Sequence, residues 1–217
     1  EVIVNSEEFK KQMQTRFGIR VNRIYNPLNK IEIKKKSSKN FKNYFFKKKC
    51  LKIMNIGRLT EQKDQLTILK AINKLKDKVK IQVIIIGRGK EKNNLLNFIN
   101  LNKLKKIIKI INPNKNVYNY LKSADLFILS SKYEGLPNVL LEALTLKKFI
   151  ISTNCPTGPR EILLNGKGGL LFNVGNYNQL SEKILFYIKN KKKCEIKLKN
   201  SIRELKRFNY NLNLNQY

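Results

Sequence analysis

One feature restricts this chain more than any other: between residues 51 and 190, short apolar runs alternate with helical patterns. The runs fall at 51–56, 81–86, 107–111, 125–130, 149–153 and 169–172, and include Val83-Ile84-Ile85-Ile86 and Leu126-Phe127-Ile128-Leu129. A strand wetted on one face would alternate apolar and polar residues. Runs that do not alternate belong in a sheet covered on both faces. Between them, Leu66, Leu69, Ile72 and Leu75 recur every three residues, and Leu95, Phe98, Ile99 and Leu101 form a similar stripe. Each set predicts a helix with one apolar face. Strands and amphipathic helices in alternation predict an α/β fold, a Rossmann-like doubly wound parallel sheet. Ligands of such sheets sit at the carboxyl ends of the strands, so the strand-to-helix loops are where chemistry is to be sought.

The flanks read differently. Residues 2–4 suit a strand, and Ser6 suits a helix N-cap with Glu7 and Glu8 in the first turn. Tyr25-Asn26-Pro27 reads as a turn. Residues 30–49 are Lys-rich with little apolar periodicity and are expected to form an exposed linker. Residues 50–190 form the sheet domain. After Lys191-Lys192-Lys193, a helix is expected near 195–207, in a C-terminal tail spanning 191–217.

Four loops carry unusual residues. The first ends its strand in Gly57-Arg58 and continues to Lys63. A guanidinium fork and an ammonium at the sheet edge suit a diphosphate, although solvated cations are the plainer reading of each alone. The second, Gly87-Arg88-Gly89, lacks the third glycine of a dinucleotide fingerprint, because position 92 is Lys. It reads as a tight turn, and the pattern GxxxxGK[ST] of a phosphate loop is absent. The third runs from Ser130 through Glu134-Gly135-Leu136-Pro137 to Glu142. Pro137 fits the first turn of a helix. The amides of Gly135 and Leu136 then lie at a helix start, a natural place for an anion or a sugar oxygen. Glu134 would stand just before the helix and Glu142 about a turn and a half inside it, both toward one cleft. A charge within Leu140-Leu141-Glu142-Ala143-Leu144 needs a partner. The fourth, Cys155-Pro156-Thr157-Gly158-Pro159-Arg160-Glu161, is a rigid turn, with a surface ion pair as the plain reading of its last two residues.

Composition narrows the partners. The net charge is +31, and 38 of the 46 basic residues are Lys. Such charge fits a polyanion partner. It also fits compositional bias, since the lysines are scattered over helix faces rather than gathered in a stripe. The chain has no His, and Cys50, Cys155 and Cys194 stand far apart, which argues against a zinc site or a disulfide framework. No apolar stretch reaches 18 residues and no signal peptide is recognised, so a reducing, cytoplasmic setting is expected.

The ordered set Gly57-Arg58…Lys63, Ala124-Asp125-Leu126-Phe127…Ser130, Glu134-x7-Glu142, Cys155-Pro156-Thr157-Gly158-Pro159-Arg160-Glu161-Ile162-Leu163 and Gly166-Lys167-x-Gly169-Leu170-Leu171 resembles the group 1 (family 4) glycosyltransferases of GT-B fold. It is most similar to the bacterial branch that builds lipopolysaccharide and other polysaccharides. The resemblance implies transfer of a sugar from a nucleotide diphosphate, expected to be UDP, with retained anomeric configuration. It also implies no metal and no further cofactor, and the chain has no Asp-x-Asp pair to hold one. Arg58 and Lys63 would hold the diphosphate and stabilise it as it leaves. Glu134 would contact the donor sugar and Glu142 the ribose. Gly57, Gly135 and Leu136 would line the phosphate and sugar, and Leu140 would pack near the ribose. The partners implied are a nucleotide sugar and a glycan or lipid-linked acceptor. Residues 1–29 would be the end of an N-terminal acceptor domain and the hinge, so this chain alone is expected to bind donor weakly and turn over poorly. Two departures bear on local turns: Lys147-Lys148-Phe149 stands where the family has a glycine turn, and Asn112 stands before Pro113 where glycine is usual.

Other readings stay open. One is a non-catalytic remnant of the same fold. Another is a related sugar-nucleotide epimerase or phosphorylase. A third is a basic nucleic-acid-binding module, against which the aromatic residues fall mostly in core patterns and no aromatic-basic stacking motif occurs. Charge alone also suggests peripheral contact with an anionic membrane at its inner face.

Overall fold

The computed structural model describes residues 2–38, 45–113 and 116–216. The chain opens with β1 (Val2–Val4), α1 (Glu7–Phe17) and β2 (Val21–Arg23), where β1 and β2 pair in parallel. Ser6 caps α1, its hydroxyl accepting from the Phe9 amide at 3.2 Å, as the sequence predicts. α2 (Lys30–Ser37) follows.

The main domain then alternates strand and helix. It runs β3 (Leu51–Ile56), α3 (Gln65–Leu75), β4 (Ile81–Ile86), α4 (Lys92–Leu101), β5 (Ile108–Ile111), α5 (Tyr118–Ser123), β6 (Leu126–Leu129), α6 (Asn138–Thr145), β7 (Phe149–Thr153), α7 (Pro159–Ile162), β8 (Leu170–Phe172) and α8 (Tyr177–Lys189). α9 (Lys191–Glu204) and α10 (Tyr210–Leu214) close the chain. The six strands predicted from apolar runs all form. They build one parallel sheet in the order β5-β4-β3-β6-β7-β8. The order reverses between β3 and β6, which pair through Ile53↔Leu126 and Met54↔Phe127. At that switch point the loops after β3 and β6 leave the same edge in opposite directions, opening a crevice.

Both sheet faces are dry, which explains the unbroken apolar runs. Ile53, Val83, Ile85, Leu126, Ile128 and Ile151 point into one core, with α3, α4 and α8 above it. Their neighbours Met54, Ile84, Ile86, Phe127, Leu129 and Ile150 point into the other, under α5, α6 and the C-terminal Leu205 and Phe208. Burial of each large side chain stabilises by about 1.5–3 kcal/mol before conformational entropy is counted.

Several expectations need correction. The face of α3 that is buried is Ile68, Leu69, Ile72 and Leu75, while Leu66 is 36% exposed. A spacing of three drifts around the helix, and the true stripe mixes three and four. Leu101, the last residue of α4, is 83% exposed. The segment from Lys30, expected as exposed linker, begins with α2, which buries Ile33 and Ser37 and lies against α5. Asn29 caps it by accepting from the Glu32 amide at 3.0 Å. Eight residues with five charges hide a one-residue anchor from any periodicity count. Positions 39–44 of that expected linker lie outside the described residues. α9 absorbs the Lys191–Lys193 run, a short 3₁₀ turn follows at Leu205–Phe208, and α10 occupies the Asn-rich end. The 3₁₀ turn brings the chain back to its start: the Leu28 amide donates to the Phe208 carbonyl at 2.9 Å, and the Tyr25 and Phe208 rings are 4.8 Å apart.

The turn after α6 forms without glycine, Lys147 itself adopting φ 57°. Lys148 then donates its ammonium to the carbonyls of Lys122 and Ala124 at 2.7 Å each, tying α6 to the end of α5. Asn112 needs no left-handed conformation; its side chain accepts from Lys92 at 3.3 Å.

Candidate functional site

The loop after β3 is held by an interlock with the loop after β4. The fully buried Leu59 takes the Arg88 carbonyl with its amide at 2.8 Å and gives its own carbonyl to the Glu91 amide at 3.0 Å. A Cβ on Gly87 would collide with the Gly57 carbonyl oxygen, and one on Gly89 with that of Leu59. The Gly87-Arg88-Gly89 turn is thus a close-approach device and not only a turn.

From this base a 3₁₀ turn at Glu61–Lys63 rises over the crevice. Asp64, at φ 44°, starts α3 and accepts from Thr67. The turn is stitched to the loop after β6. The Ser130 hydroxyl donates to the Lys63 carbonyl at 2.8 Å, the Lys132 amide to the Gln62 carbonyl at 2.8 Å, and the Gln62 side chain to the Tyr133 carbonyl at 3.0 Å. These bonds aim Lys63 inward. Its ammonium meets the Glu134 carboxylate at 2.5 Å, with side chains only 17% and 8% exposed. The same carboxylate oxygen accepts from Ser131 at 2.5 Å. Gly57 lies beside the Lys63 stem, within about 4 Å of its Cδ and Cγ.

Arg58 stands apart from that pair. Its carbonyl is gripped by the buried Gln65 amide group at 2.9 Å, while its guanidinium is exposed and reaches Gln62 only at 3.5 Å. It lines an open cavity of about 320 Å³ with Thr60, Gln62, Lys90, Lys132 and Tyr133.

The loop after β7 supports Glu134 and Gly135 from below. Thr157, at φ 64°, donates its hydroxyl to the Glu134 carbonyl, and Gly158 presses so closely on the Gly135 carbonyl that no side chain would fit. Gly135 is exposed on its other side, where its nearest side chain is Asn5. Among the described residues, no group takes the amides of Gly135 or Leu136, which stand before α6. Pro137 occupies the N-cap of α6 rather than its first turn.

Glu142 lies in the second turn of α6, half-buried, and accepts from the Tyr118 hydroxyl at 3.3 Å. Burial pushes its carboxyl above the usual carboxylate range, with the Tyr118 bond acting in the opposite direction. The Tyr118 phenol is pushed up to about 12, first by burial and then by the Glu142 charge, so it remains a donor at neutral pH. Leu136 and Leu140 are core residues at 5% and 0% exposure. Leu140, expected near a ribose, shapes the floor of the crevice from within the core and has no free surface in this conformation.

The structure therefore brings Gly57, Lys63, Glu134 and Gly135 together and sets Arg58 and Glu142 outside that cluster. Sequence reasoning missed Tyr118, Ser131, Gln65 and Thr157. The Ser130-Ser131 dyad at the end of an apolar run was the one local signal. The reading of Arg160-Glu161 as a surface ion pair is also overturned. Glu161 accepts instead from the Glu7 amide at 2.9 Å and from the Tyr25 hydroxyl, and its carbonyl accepts from Arg207 at 3.2 Å. It fastens the opening βαβ unit to the main sheet domain. Among the described residues, no three His, Cys, Asp or Glu side chains gather as a metal site, and no helix is long and apolar enough to cross a membrane.

Comparison with known proteins identifies the family of the chain and its fold. Residues 36–204 match the family model described as "Glycosyl transferases group 1". An uncharacterised glycosyltransferase of Methanocaldococcus jannaschii is 37% identical over 170 residues, covering 75% of this chain and 41% of that protein. The amylovoran biosynthesis glycosyltransferase AmsD of Erwinia amylovora is 31% identical over 166 residues, covering 75% of this chain and 46% of that protein. The chain thus spans less than half the length of these curated relatives. The fold matches the crystal structure of Anabaena HepE in complex with UDP and glucose, with a TM-score of 0.86 at 19% identity, over 99% of this chain and 61% of that one.

Proposed function

This chain belongs to the group 1 glycosyl transferases, and from that premise we propose that it is the donor-binding half of a retaining, metal-independent enzyme using a UDP-sugar. The acceptor would be a glycan or a lipid-linked precursor of a polysaccharide. The observation that carries this reading is the Lys63–Glu134 pair, which joins the two loops of the switch point and sets a cation and a carboxylate side by side.

The chemistry follows from what each group can do. Lys63 has three donor hydrogens, so it can keep Glu134 and also take a diphosphate oxygen. Arg58, held by its backbone but free at its head, can swing its fork onto the same diphosphate. The free amides of Gly135 and Leu136 at the start of α6 add donors for phosphate or sugar. Glu134 has a second carboxylate oxygen for a sugar hydroxyl. In the transfer, the bond from the anomeric carbon to the diphosphate breaks and the acceptor oxygen bonds on the same face. The acceptor proton passes to the departing diphosphate oxygen. Charge growing on that leaving group is met by Lys63 and Arg58, and each such preorganised donor is worth roughly 10²–10³ in rate. The bound UDP in a neighbour of the same fold supports the choice of nucleotide.

The test is calorimetric titration of the chain with UDP, UDP-GlcNAc, UDP-Gal and GDP-Man, without metal and then with magnesium, alongside Lys63→Ala and Glu142→Ala. Binding of a uridine nucleotide that needs no metal, is lost in Lys63→Ala and is weakened in Glu142→Ala is expected. A folded chain that binds only with magnesium, or binds equally well in both variants, would refute the site. The charge of +31 further motivates a proposed contact with anionic membrane. Flotation showing no preference for anionic over neutral vesicles at moderate salt would remove it.

A further inference from the structure

The recognition of the ribose has a second participant in this chain. Among the described residues, the Tyr118 hydroxyl is the one protein group bonded to the Glu142 carboxylate, and it uses only Oε1. Tyr118 is the first residue of α5, directly after the loop that follows β5, and its ring packs on the core beneath the crevice. Glu142 comes from α6, on the far side of the switch point. The bond thus spans two elements whose positions are set separately by the sheet.

An ionised carboxylate offers about four lone-pair sites on two oxygens. One phenol proton fills one of them. A half-buried carboxylate with so few donors is short of partners, and an unsatisfied buried charge is costly. Two hydroxyls of a vicinal diol supply the donors that are missing. A carboxylate free to rotate would take them in many orientations. One tied at Oε1 presents Oε2 in a fixed direction.

The geometry points to Tyr118 as a positioning residue that orients the Glu142 carboxylate for a ribose diol, making this chain discriminate ribonucleoside diphosphates from their deoxy counterparts. This inference rests on the proposed placement of ribose at Glu142. The 3.3 Å separation is long for a bond between a phenol and a carboxylate, leaving room for it to tighten when the diol arrives. The phenol is held in its protonated form by burial and by the neighbouring charges of Glu142 and of Glu32 on α2, so toward the carboxylate it acts as donor.

Tyr118→Phe removes the hydroxyl and keeps the ring, so packing is retained and a thermal melt should be nearly unchanged. UDP, 2′-deoxy-UDP and 3′-deoxy-UDP are titrated against the wild-type chain, Tyr118→Phe and Glu142→Ala. In the wild type, UDP is expected to bind more tightly than both deoxy nucleotides. Tyr118→Phe should weaken UDP by about three- to tenfold, the scale of one ordinary hydrogen bond, and weaken the deoxy nucleotides less. The ribose preference then shrinks. If Tyr118→Phe keeps the full preference while Glu142→Ala abolishes it, the role of Tyr118 is overturned and the ribose site stands. If Glu142→Ala keeps the preference, or the folded wild type binds none of the three nucleotides, the ribose site fails and this inference falls with it.

Discussion

Glu134 and Glu142 flank the same crevice, with seven residues between them in the sequence, yet their surroundings differ. Glu134 is nearly buried and paired with a cation: an ammonium and a hydroxyl both meet its Oε1 at 2.5 Å. Glu142 has a single neutral donor at 3.3 Å and a carboxyl raised by burial. The first charge is part of what holds the two switch-point loops together. The second is disfavoured by burial in the free protein, and on the proposed reading a ribose diol would supply the donors it lacks. One carboxylate is therefore part of the structure, and the other is the better candidate for a group kept for a ligand.

The largest expected effect breaks the first half of that contrast. Lys63→Ala leaves the Glu134 carboxylate without its cation, and loss of one partner of a buried pair costs about 3 kcal/mol or more. It should lower the melting temperature and remove UDP binding together, as read by differential scanning fluorimetry and calorimetry. A variant that loses binding with an unchanged melt would show that the pair holds nothing in place. Glu142→Gln should separate the two properties. It removes a desolvated charge, so stability is unchanged or raised, while UDP affinity falls by about 1.5–3 kcal/mol. A clear loss of stability in Glu142→Gln would mean that its charge is satisfied by the protein after all.

Acid provides a finer probe. Burial disfavours the charged form of Glu142, so its folded pKa lies above the ordinary value. As pH falls, this carboxylate is protonated before an unperturbed one, and UDP affinity should decline earlier than a solvated glutamate would dictate. The group facing it is the Tyr118 hydroxyl, whose bond pulls the pKa down; Glu32 on α2 acts on that phenol in turn. Tyr118→Phe should therefore move the decline to still higher pH. A pH profile set only by the second ionisation of the UDP phosphate would contradict this. The smallest effect concerns the clasp outside the crevice. Glu161→Gln weakens the bonds to the Glu7 amide and to Tyr25 and should cost about 1 kcal/mol in a denaturant titration, with little change in UDP affinity.

The same contrast shows what a sequence can reveal. The six strands, the Ser6 cap and the Glu134-to-Glu142 motif were legible because their signals are local: contiguous apolar runs, a capping residue, a loop running straight into a helix. α2 was hidden because one buried isoleucine among lysines makes no period. The inward aim of Lys63 toward Glu134 depends on a partner 71 residues away, and the roles of Tyr118 and Glu161 on partners 24 and 136 residues away. Nothing in the neighbouring residues records such contacts. They are set by the strand order, which brings the loops after β3 and β6 to one crevice, and by the return of the C-terminal turn to Tyr25.

The glycine interlock between the loops after β3 and β4 constrains the variation open to this fold. Gly87 and Gly89 press on the carbonyls of Gly57 and Leu59 with no room for a Cβ. Insertions or bulkier residues there would displace the loop that carries Arg58 and Lys63. Length changes are tolerated where the backbone has clearance, as at the exposed Asn112 and Pro113 after β5. Variation is thereby channelled away from the loop that carries Arg58 and Lys63, which sterics and backbone hydrogen bonds together hold in place.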